Sequence, residues 1–467
     1  MTPLALIVAG CFLAAAVFVL WRPQYAAVGL LVMFPLEQLA QSFFPIAQQR
    51  PVLVNAGVAI VAAFAVALRF WRREPIGLGY SNPTSWLLWM LYGLFWMTLA
   101  WSPAMGPALG LMIPGVPYYI VLMILLPLLV TDVTSIRPVF VGLLVVGTGI
   151  AALILASPSA GFYAGRFVVQ LEGIGAGERG NPLALAEMGG MMVVVGALLV
   201  GSKKNILFLA LRLGAILIGL GLAISSGSRG QVVAAVMAVF LFFPLARGIG
   251  NIKQVAGLGV AVVAFYFILS MAFSLFVGAE NETRWDVDRL QGGVESRLEH
   301  ASTLLEAFIE APGAWLLGLG SNAFNYYSRG GKYVHNVIIE MLCEQGVVGL
   351  TLLLLATGFA AKAGWRLIQL NRDDPVRRST VAALGALAVY MFLLALKQGS
   401  SLGAPSAFYL FVVIAKLAVV EERIALNASI DAETHDALGS AEDDPEDDSE
   451  EGDDDDEHSD RLHAQLV

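Results

Sequence analysis

Long apolar runs separated by short polar connections make up most of this chain. Each run is about 17–25 residues long, enough for an α-helix to cross a hydrocarbon core about 30 Å thick. Because backbone polar groups in lipid must be satisfied within their own segment, the pattern predicts a bundle of membrane-spanning helices. The predicted spans are 4–20, 25–43, 52–70, 85–101, 113–131, 138–156, 183–201, 206–224, 231–246, 256–277, 337–361, 379–397 and 406–420.

The composition agrees with this pattern. The chain is 57% hydrophobic and 14% charged, whereas soluble domains carry about 25% charged residues. The predicted fold class is all-α: a polytopic transmembrane bundle of about 12–13 helices with a long, partly helical loop at 278–336. Pro35 and Glu37 interrupt the second run, and the short last run contains Lys416. The number of helices and the side of the N-terminus therefore stay open.

Basic residues divide the connections between spans into two sets. One set is rich in bases, at Arg22, Arg69, Arg72, Arg73, Arg137, Lys203, Lys204, Arg247, Lys253, Lys362, Arg366, Arg372, Arg377 and Arg378. The positive-inside rule assigns this set to the cytoplasm. The loops 157–182, 225–230 and 278–336 then lie outside the cytoplasm.

The C-terminal segment differs sharply in charge from the rest of the chain. From Asp431 onward there are 17 acids and one base, whereas the preceding residues carry 27 bases and 20 acids. A segment with so few apolar residues to bury is expected to be disordered. We therefore predict a transmembrane domain, residues 1–423, and an acidic disordered cytoplasmic tail, residues 424–467. A solvated extension is the simplest interpretation of the tail, and partner binding or cation buffering is the alternative.

The sequence contains no motif for nucleotides, cofactors or metals. Gly173–Gly180 is glycine-rich, but it follows no predicted strand and precedes a membrane helix, which argues against dinucleotide binding. Cys11 and Cys343 both lie in apolar runs, so no disulfide framework or metal-ligand spacing is present. We expect no cofactor, no metal and no nucleic-acid partner.

Three external loops end where helices are predicted to begin. The N-cap residues are Asn181, followed by Pro182, then Ser228 and Asn336. Helix N-termini present free N–H groups and the positive end of the dipole, so each suits an anion.

Two arginines are candidate anion ligands. Arg229 lies in the first turn of its predicted helix, where a guanidinium can hold phosphate oxygens in a bidentate fork; the alternative is an arginine reaching for the membrane surface. Arg297 is predicted to share the apolar face of a loop helix with Leu304 and Phe308. A buried cation needs an anionic partner, either a ligand or a carboxylate of another loop.

His335 lies at the junction of the long polar loop and a helix N-terminus, near Tyr333, Asn336 and Glu340. A lone histidine at a membrane interface often has no catalytic role. At this junction, however, a helix N-terminus and nearby arginines would lower the imidazole pKa from about 6.5 and keep the ring neutral. His335 is therefore a candidate general base, with the three neighbours as supporting residues.

These motifs resemble the O-antigen ligase and polymerase superfamily of bacterial integral-membrane glycosyltransferases. The resemblance covers about 180–361 and rests on SSGSRGQ, SRLEHASTLLEAFIEAP, GLGSNAF and YVHNVIIEMLCEQGVVGL. It implies an enzyme of the inner membrane whose active site faces the periplasm. It leaves open whether the enzyme is a ligase, a polymerase or a protein glycosyltransferase.

The resemblance also implies a reaction and roles for its residues. Such enzymes transfer a glycan from undecaprenyl diphosphate to a hydroxyl of lipid A-core, of another carrier-linked glycan or of a protein. Arg229 and Arg297 match the diphosphate-binding arginines, His335 matches the catalytic histidine, and Arg166 matches a further arginine with looser spacing. The expected transfer is inverting and metal-independent. A transporter or flippase for polyisoprenoid-linked glycan is the alternative, although it would place charges near the bilayer midplane.

Overall fold

The computed structural model describes residues 3–170, 180–201, 205–248, 287–328, 334–397 and 406–442, together with 259, 263, 267–271 and 274–275. The chain divides into two compact units, residues 1–422 and residues 423–467. Every element of the candidate site lies in the first unit.

The described chain is built almost entirely of helices. They are α1 Pro3–Trp21, α2 Ala26–Leu31, α3 Met33–Phe43, α4 Pro45–Gln49, α5 Val52–Trp71, α6 Pro83–Thr98, α7 Met105–Ile120, α8 Leu126–Leu129, α9 Val133–Leu155, α10 Pro182–Leu198, α11 Ile206–Ser225, α12 Arg229–Arg247, α13 Val287–Glu310, α14 Ala314–Leu317, α15 Phe324–Tyr327, α16 Val337–Leu370, α17 Pro375–Ala395 and α18 Ser406–Glu442. Short 3-10 turns lie at Pro23–Tyr25 and Leu99–Trp101, and a π turn at Val121–Leu125 joins α7 to α8. An antiparallel hairpin, β1 Ala160–Tyr163 and β2 Arg166–Val169, is the one sheet among these residues.

This architecture confirms the predicted fold class. Within the described ranges, eight helices are long and apolar enough to cross a membrane, and the pair Pro23–Leu31 and Met33–Phe43, bent by 76°, would be a ninth. The bend falls in the run that Pro35 and Glu37 were expected to interrupt. Each predicted span coincides with a helix except 256–277, which lies mostly outside the described residues. The chain is a multi-pass membrane protein.

The centre of the bundle is formed where α10 packs against α11 and α17. Gly189 and Gly219 face each other, and a Cβ at either would lie within 2.5 Å of the other's carbonyl oxygen. Tyr390 of α17 occupies the space beside Gly190. Small residues at such crossings let helix backbones approach closely. This contact explains why α10, at 17 residues, is almost wholly buried.

Lys416, which was unexpected in an apolar span, has a structural explanation. Its side chain is fully buried, and Nζ donates hydrogen bonds to the carbonyl oxygens of Ile76, Pro127 and Val130 at 2.6–2.8 Å. Three carbonyl acceptors satisfy the three N–H donors of an ammonium group. The lysine therefore ties α18 to the chain around α8.

Two features differ from the sequence prediction. The external segment 157–182 contains the β1–β2 hairpin, whose turn residues Ala164 and Gly165 have φ of 47° and 72°. Such left-handed pairs make the two-residue turns that match strand twist. In addition, α18 continues to Glu442, so residues 424–442 are helical rather than disordered. Alanine, leucine and glutamate within this stretch favour helix despite its polarity. Residues 443–467 lie outside the described part.

Candidate functional site

The long helix α16 is broken at Gly346, and a loop fills the break. Gly346 has φ 67° and ψ −168°, far from helical values. The break frees the carbonyls of Cys343 and Glu344, which accept hydrogen bonds from the amides of Leu319 and Gly320 at 2.8 and 3.0 Å. A Cβ at Gly346 would lie 2.2 Å from the Leu316 carbonyl oxygen. The glycines of this motif are therefore needed for close backbone contact.

Buried polar side chains lock the same loop onto α16. The carboxylate of Glu344 accepts hydrogen bonds from the amides of Asn322 and Phe324 at 2.8 and 3.1 Å. The side-chain amide of Gln345 donates to the hydroxyl of Ser321 at 3.0 Å and accepts from that of Thr98 at 2.7 Å. These bonds hold the loop against α6 and α16, and His335 lies just before the start of α16. The sequence motif included Glu344 and the glycines, but their anchoring role was not predicted.

Asn336 caps α16 as predicted. Its Oδ1 accepts hydrogen bonds from the amides of Ile338 and Ile339 at 3.0 and 3.3 Å. His335, immediately before it, is half-buried and has φ 56°. This left-handed conformation is uncommon outside glycine, although histidine is among the residues enriched there. The cap and the turn fix where the imidazole leaves the backbone.

The electrostatic surroundings of His335 are strongly positive. Burial, together with the positive charges of Arg297, His300 and Lys397, lowers the pKa of His335 to about 4. The predicted direction of the pKa shift is confirmed. Its largest cause is burial, however, rather than the helix N-terminus and arginines that were expected. At neutral pH the ring is uncharged and can accept a proton.

Arg229 is the first residue of α12, as predicted, and is half-buried. It follows Gly227, whose φ is 65°, and Ser228. Ser228 takes the N-cap position but makes no side-chain cap bond, which corrects the sequence prediction. Its ψ of 74° departs from the extended backbone that turns a serine hydroxyl toward the helix amides. The Ser228 side chain therefore does not cap the backbone amides at the start of α12.

Arg166 reaches the same region from a different element. It is the first residue of β2 and pairs with Tyr163 across the hairpin turn. The strand contacts α3, α10 and α11. Three residues separate the end of α11 at Ser225 from the start of α12 at Arg229, so the contact with α11 holds the hairpin near Arg229. The loosely matched arginine of the sequence is thus placed among the site elements.

Arg297 corrects one part of the prediction. It lies in α13, but its side chain is exposed rather than buried on an apolar face. The buried contacts of α13 begin further along the helix, at Ala301, Leu304 and Phe308, which pack with Phe324 and neighbouring side chains of the loop. Arg297 lies more than one helical turn before these contacts, where the loop does not cover the helix. Its charge nevertheless acts on both His335 and Lys397.

Lys397 belongs to the same cluster, and the sequence prediction missed it. It follows the end of α17, and its Nζ donates to Oε1 of the buried Gln231 at 3.3 Å. Burial lowers the pKa of Lys397 to about 8, with contributions from Arg297, Arg166 and Arg229. The available signal was topological: Lys397 ends a predicted span on the external side, against the usual charge bias.

Of the two remaining supporting residues, Glu340 is described by the structure and Tyr333 is not. Glu340 is buried in the first turn of α16, where its charge acts on Tyr119 and Glu344. Its place in the first turn fits a helix-start carboxylate, and its role in supporting the site stays a prediction. Tyr333 lies outside the described residues.

Among the residues that the structure describes, no group of three or more His, Cys, Asp or Glu side chains could hold a metal ion.

The fold and the site together define a multi-pass helical membrane protein with a polar loop docked on one end and a cluster of cations beside a neutral histidine. Residues 213–354 match the protein family described as O-Antigen ligase. The match includes Arg229, Arg297, His335 and the broken part of α16, and it confirms the resemblance to the O-antigen ligase and polymerase superfamily. It supports a glycan-transferring membrane enzyme of the ligase or polymerase kind. A comparison with curated proteins finds no match to this chain.

Proposed function

We propose that the protein transfers a glycan from an undecaprenyl-diphosphate carrier to an acceptor hydroxyl at the periplasmic face of the bacterial inner membrane. The observation that carries the proposal is the convergence of Arg166, Arg229 and Arg297, from a strand and two helices, on the region of His335 and Lys397. Such a concentration of positive charge near a membrane surface suits a dianionic or trianionic ligand. A lipid diphosphate supplies that charge together with a membrane anchor.

In the proposed reaction, the acceptor oxygen attacks the anomeric carbon of the carrier-linked sugar in line with the bond that breaks. The new bond joins the acceptor oxygen to this carbon, and the old bond to the phosphate oxygen releases its electron pair to the diphosphate. His335 takes the hydroxyl proton. The arginines stabilise the negative charge that develops on undecaprenyl diphosphate. One displacement inverts the configuration at carbon.

The low pKa of His335 fits this sequence of events. A histidine with a pKa of about 4 is a weak base. A bound diphosphate would bring negative charge beside Arg297 and Lys397, offset their repulsion of a proton and raise the pKa of His335 toward neutrality. The imidazole would then be neutral before donor binding and a stronger base after it.

The direct test is transfer by purified protein in detergent, with carrier-linked glycan and acceptor. His335→Ala should reduce the rate about 10²–10⁴-fold, the usual contribution of a general base, while leaving expression and membrane insertion intact. His300→Ala removes the neighbouring imidazole, which bonds to Ser296 within α13, and should retain transfer. Wild-type transfer by His335→Ala would overturn the assignment. A detergent assay also separates the flippase alternative, because micelles offer no second side for transport.

A further inference from the structure

We infer that Lys397 is a further ligand of the donor diphosphate, binding it at the N-terminus of α12 together with Arg229. The inference rests on the proposed function and adds a binding residue that the family motifs do not contain.

The position of Lys397 is set by α12. Its side chain lies directly over the first turn, since a Cβ added at Gly230 would come within 2.2–2.6 Å of Cδ, Cε and Nζ of Lys397. Nζ also contacts the amide oxygen of Gln231 at 3.3 Å. The glycine after Arg229 therefore makes room for the lysine. The Lys397 ammonium thus lies beside the helix turn that carries Arg229.

Among the described residues, Lys397 forms no ion pair with a carboxylate. Positive charges of Arg166, Arg229 and Arg297 act on it, and Lys397 in turn acts on His335. Among the described residues its one hydrogen-bond acceptor is a neutral amide. Lys416, in contrast, gives all three of its N–H donors to carbonyl oxygens. Lys397 thus keeps donors for an anion, whereas Lys416 is a structural lysine.

A second observation at the same helix start supports an anionic ligand. The hydroxyl of Ser228 is buried, with the residue 3% exposed, and it has no hydrogen-bond partner among the residues that the structure describes. A buried hydroxyl without a partner is costly and is rare in folded proteins. A bound phosphate group would accept hydrogen bonds from this hydroxyl, from Lys397 Nζ and from an amide at the start of α12.

The test is calorimetric titration of full-length protein in detergent with inorganic pyrophosphate. Lys397→Gln should bind about 10–100-fold more weakly, as expected for the loss of one hydrogen bond to a charged group. Gly230→Ala keeps the lysine but displaces it, and it should weaken binding in the same direction. Lys362→Gln removes the same charge from an exposed site in α16 and should bind like the wild type.

A pH series separates ligand binding from a structural role. Wild-type affinity should fall, relative to Lys397→Arg at the same pH, as the pH rises through about 8, because the lysine loses its proton and the arginine does not. The comparison at equal pH removes the titration of pyrophosphate itself. Equal affinity of wild type and Lys397→Gln, or parallel pH curves for wild type and Lys397→Arg, would overturn the role of Lys397 alone. Failure of the wild type to bind pyrophosphate at any pH would count against the proposed diphosphate site as a whole.

Discussion

At the scale of single residues, the candidate site depends on positive charges that the fold brings close together. Arg166, Arg229, Arg297 and Lys397 act on one another or on His335, although they are far apart in the sequence. Like charges repel, so the fold holds them at a cost that a bound anion would relieve. The identity of each cation should therefore matter for ligand binding more than for folding.

Lysine in place of Arg229 or Arg297 tests this view. Each substitution keeps the charge but loses the bidentate fork, so transfer should fall by about tenfold or more in the purified assay, as for a lost hydrogen bond to a charged group. Arg372→Lys is the matched control, because Arg372 is 75% exposed in the connection between α16 and α17. Full activity of both site variants would mean that the arginines do not grip the donor.

The pH profile of the reaction reports the histidine. The profile of kcat/KM describes the free enzyme, so its acid limb should lie near the His335 pKa of about 4, with activity lost as the pH falls and the base is protonated. The profile of kcat describes the donor complex, in which the diphosphate favours the imidazolium. Its acid limb should therefore lie at higher pH. Coincident limbs would show that the bound donor does not face His335.

At the scale of secondary-structure elements, the broken helix α16 is the central feature of the candidate site. His335 and the N-cap Asn336 immediately precede its first turn, and the loop around Gly318 and Gly320 packs into the break at Gly346. Backbone hydrogen bonds and the Glu344 carboxylate join loop and helix on the side of the break. The element therefore positions the base through its packing rather than through local sequence preference.

Gly346→Ala should disrupt the packing of the loop against the break in α16. The new Cβ meets backbone atoms of Leu316 and Gly318 at 2.2–2.6 Å, and the φ of 67° disfavours a side chain. We expect lower thermal stability in detergent and loss of transfer. Gly358→Ala, later in the same helix, meets no atom within 4 Å and should be neutral or stabilising by up to about 1 kcal/mol through helix propensity. Equal melting temperatures for the two variants would contradict the docking role of the break.

At the scale of the whole molecule, the elements that carry the site come from distant parts of one bundle. The hairpin, the start of α12, the loop helix α13, the start of α16 and the end of α17 supply its residues. Central packing at Gly189, Gly190 and Gly219 fixes how α10, α11 and α17 meet. The site is thus a property of the assembled bundle.

The proposed mechanism uses neither metal nor nucleotide, since arginines and Lys397 take the role of a metal and the sugar–diphosphate bond supplies the free energy. Transfer by purified protein should therefore proceed at the wild-type rate in excess EDTA, with glycan product measured by gel mobility. Loss of transfer on chelation, restored by Mg²⁺ or Mn²⁺, would require a metal site and would remove the arginine-only mechanism.

The sequence by itself determined the membrane class and nearly all helix positions and indicated several candidate site residues, because these follow from local properties. Hydrophobic length decides whether a segment can span lipid, and Asn181 and Asn336 cap their helices through contacts with the next few residues. The superfamily motif likewise marked Arg229, Arg297 and His335 without reference to packing.

Only the tertiary structure decided which residues meet. Apolar periodicity placed Arg297 inside, whereas the loop covers α13 only from Ala301 onward. The sequence showed Lys397 only as the end of a predicted span. The packing of α17 against α12 places its side chain over Gly230. Contacts between segments more than 150 residues apart depend on how helices cross, and helix crossing depends on side-chain shape on both partners. Hydropathy and spacing along one chain do not contain that information.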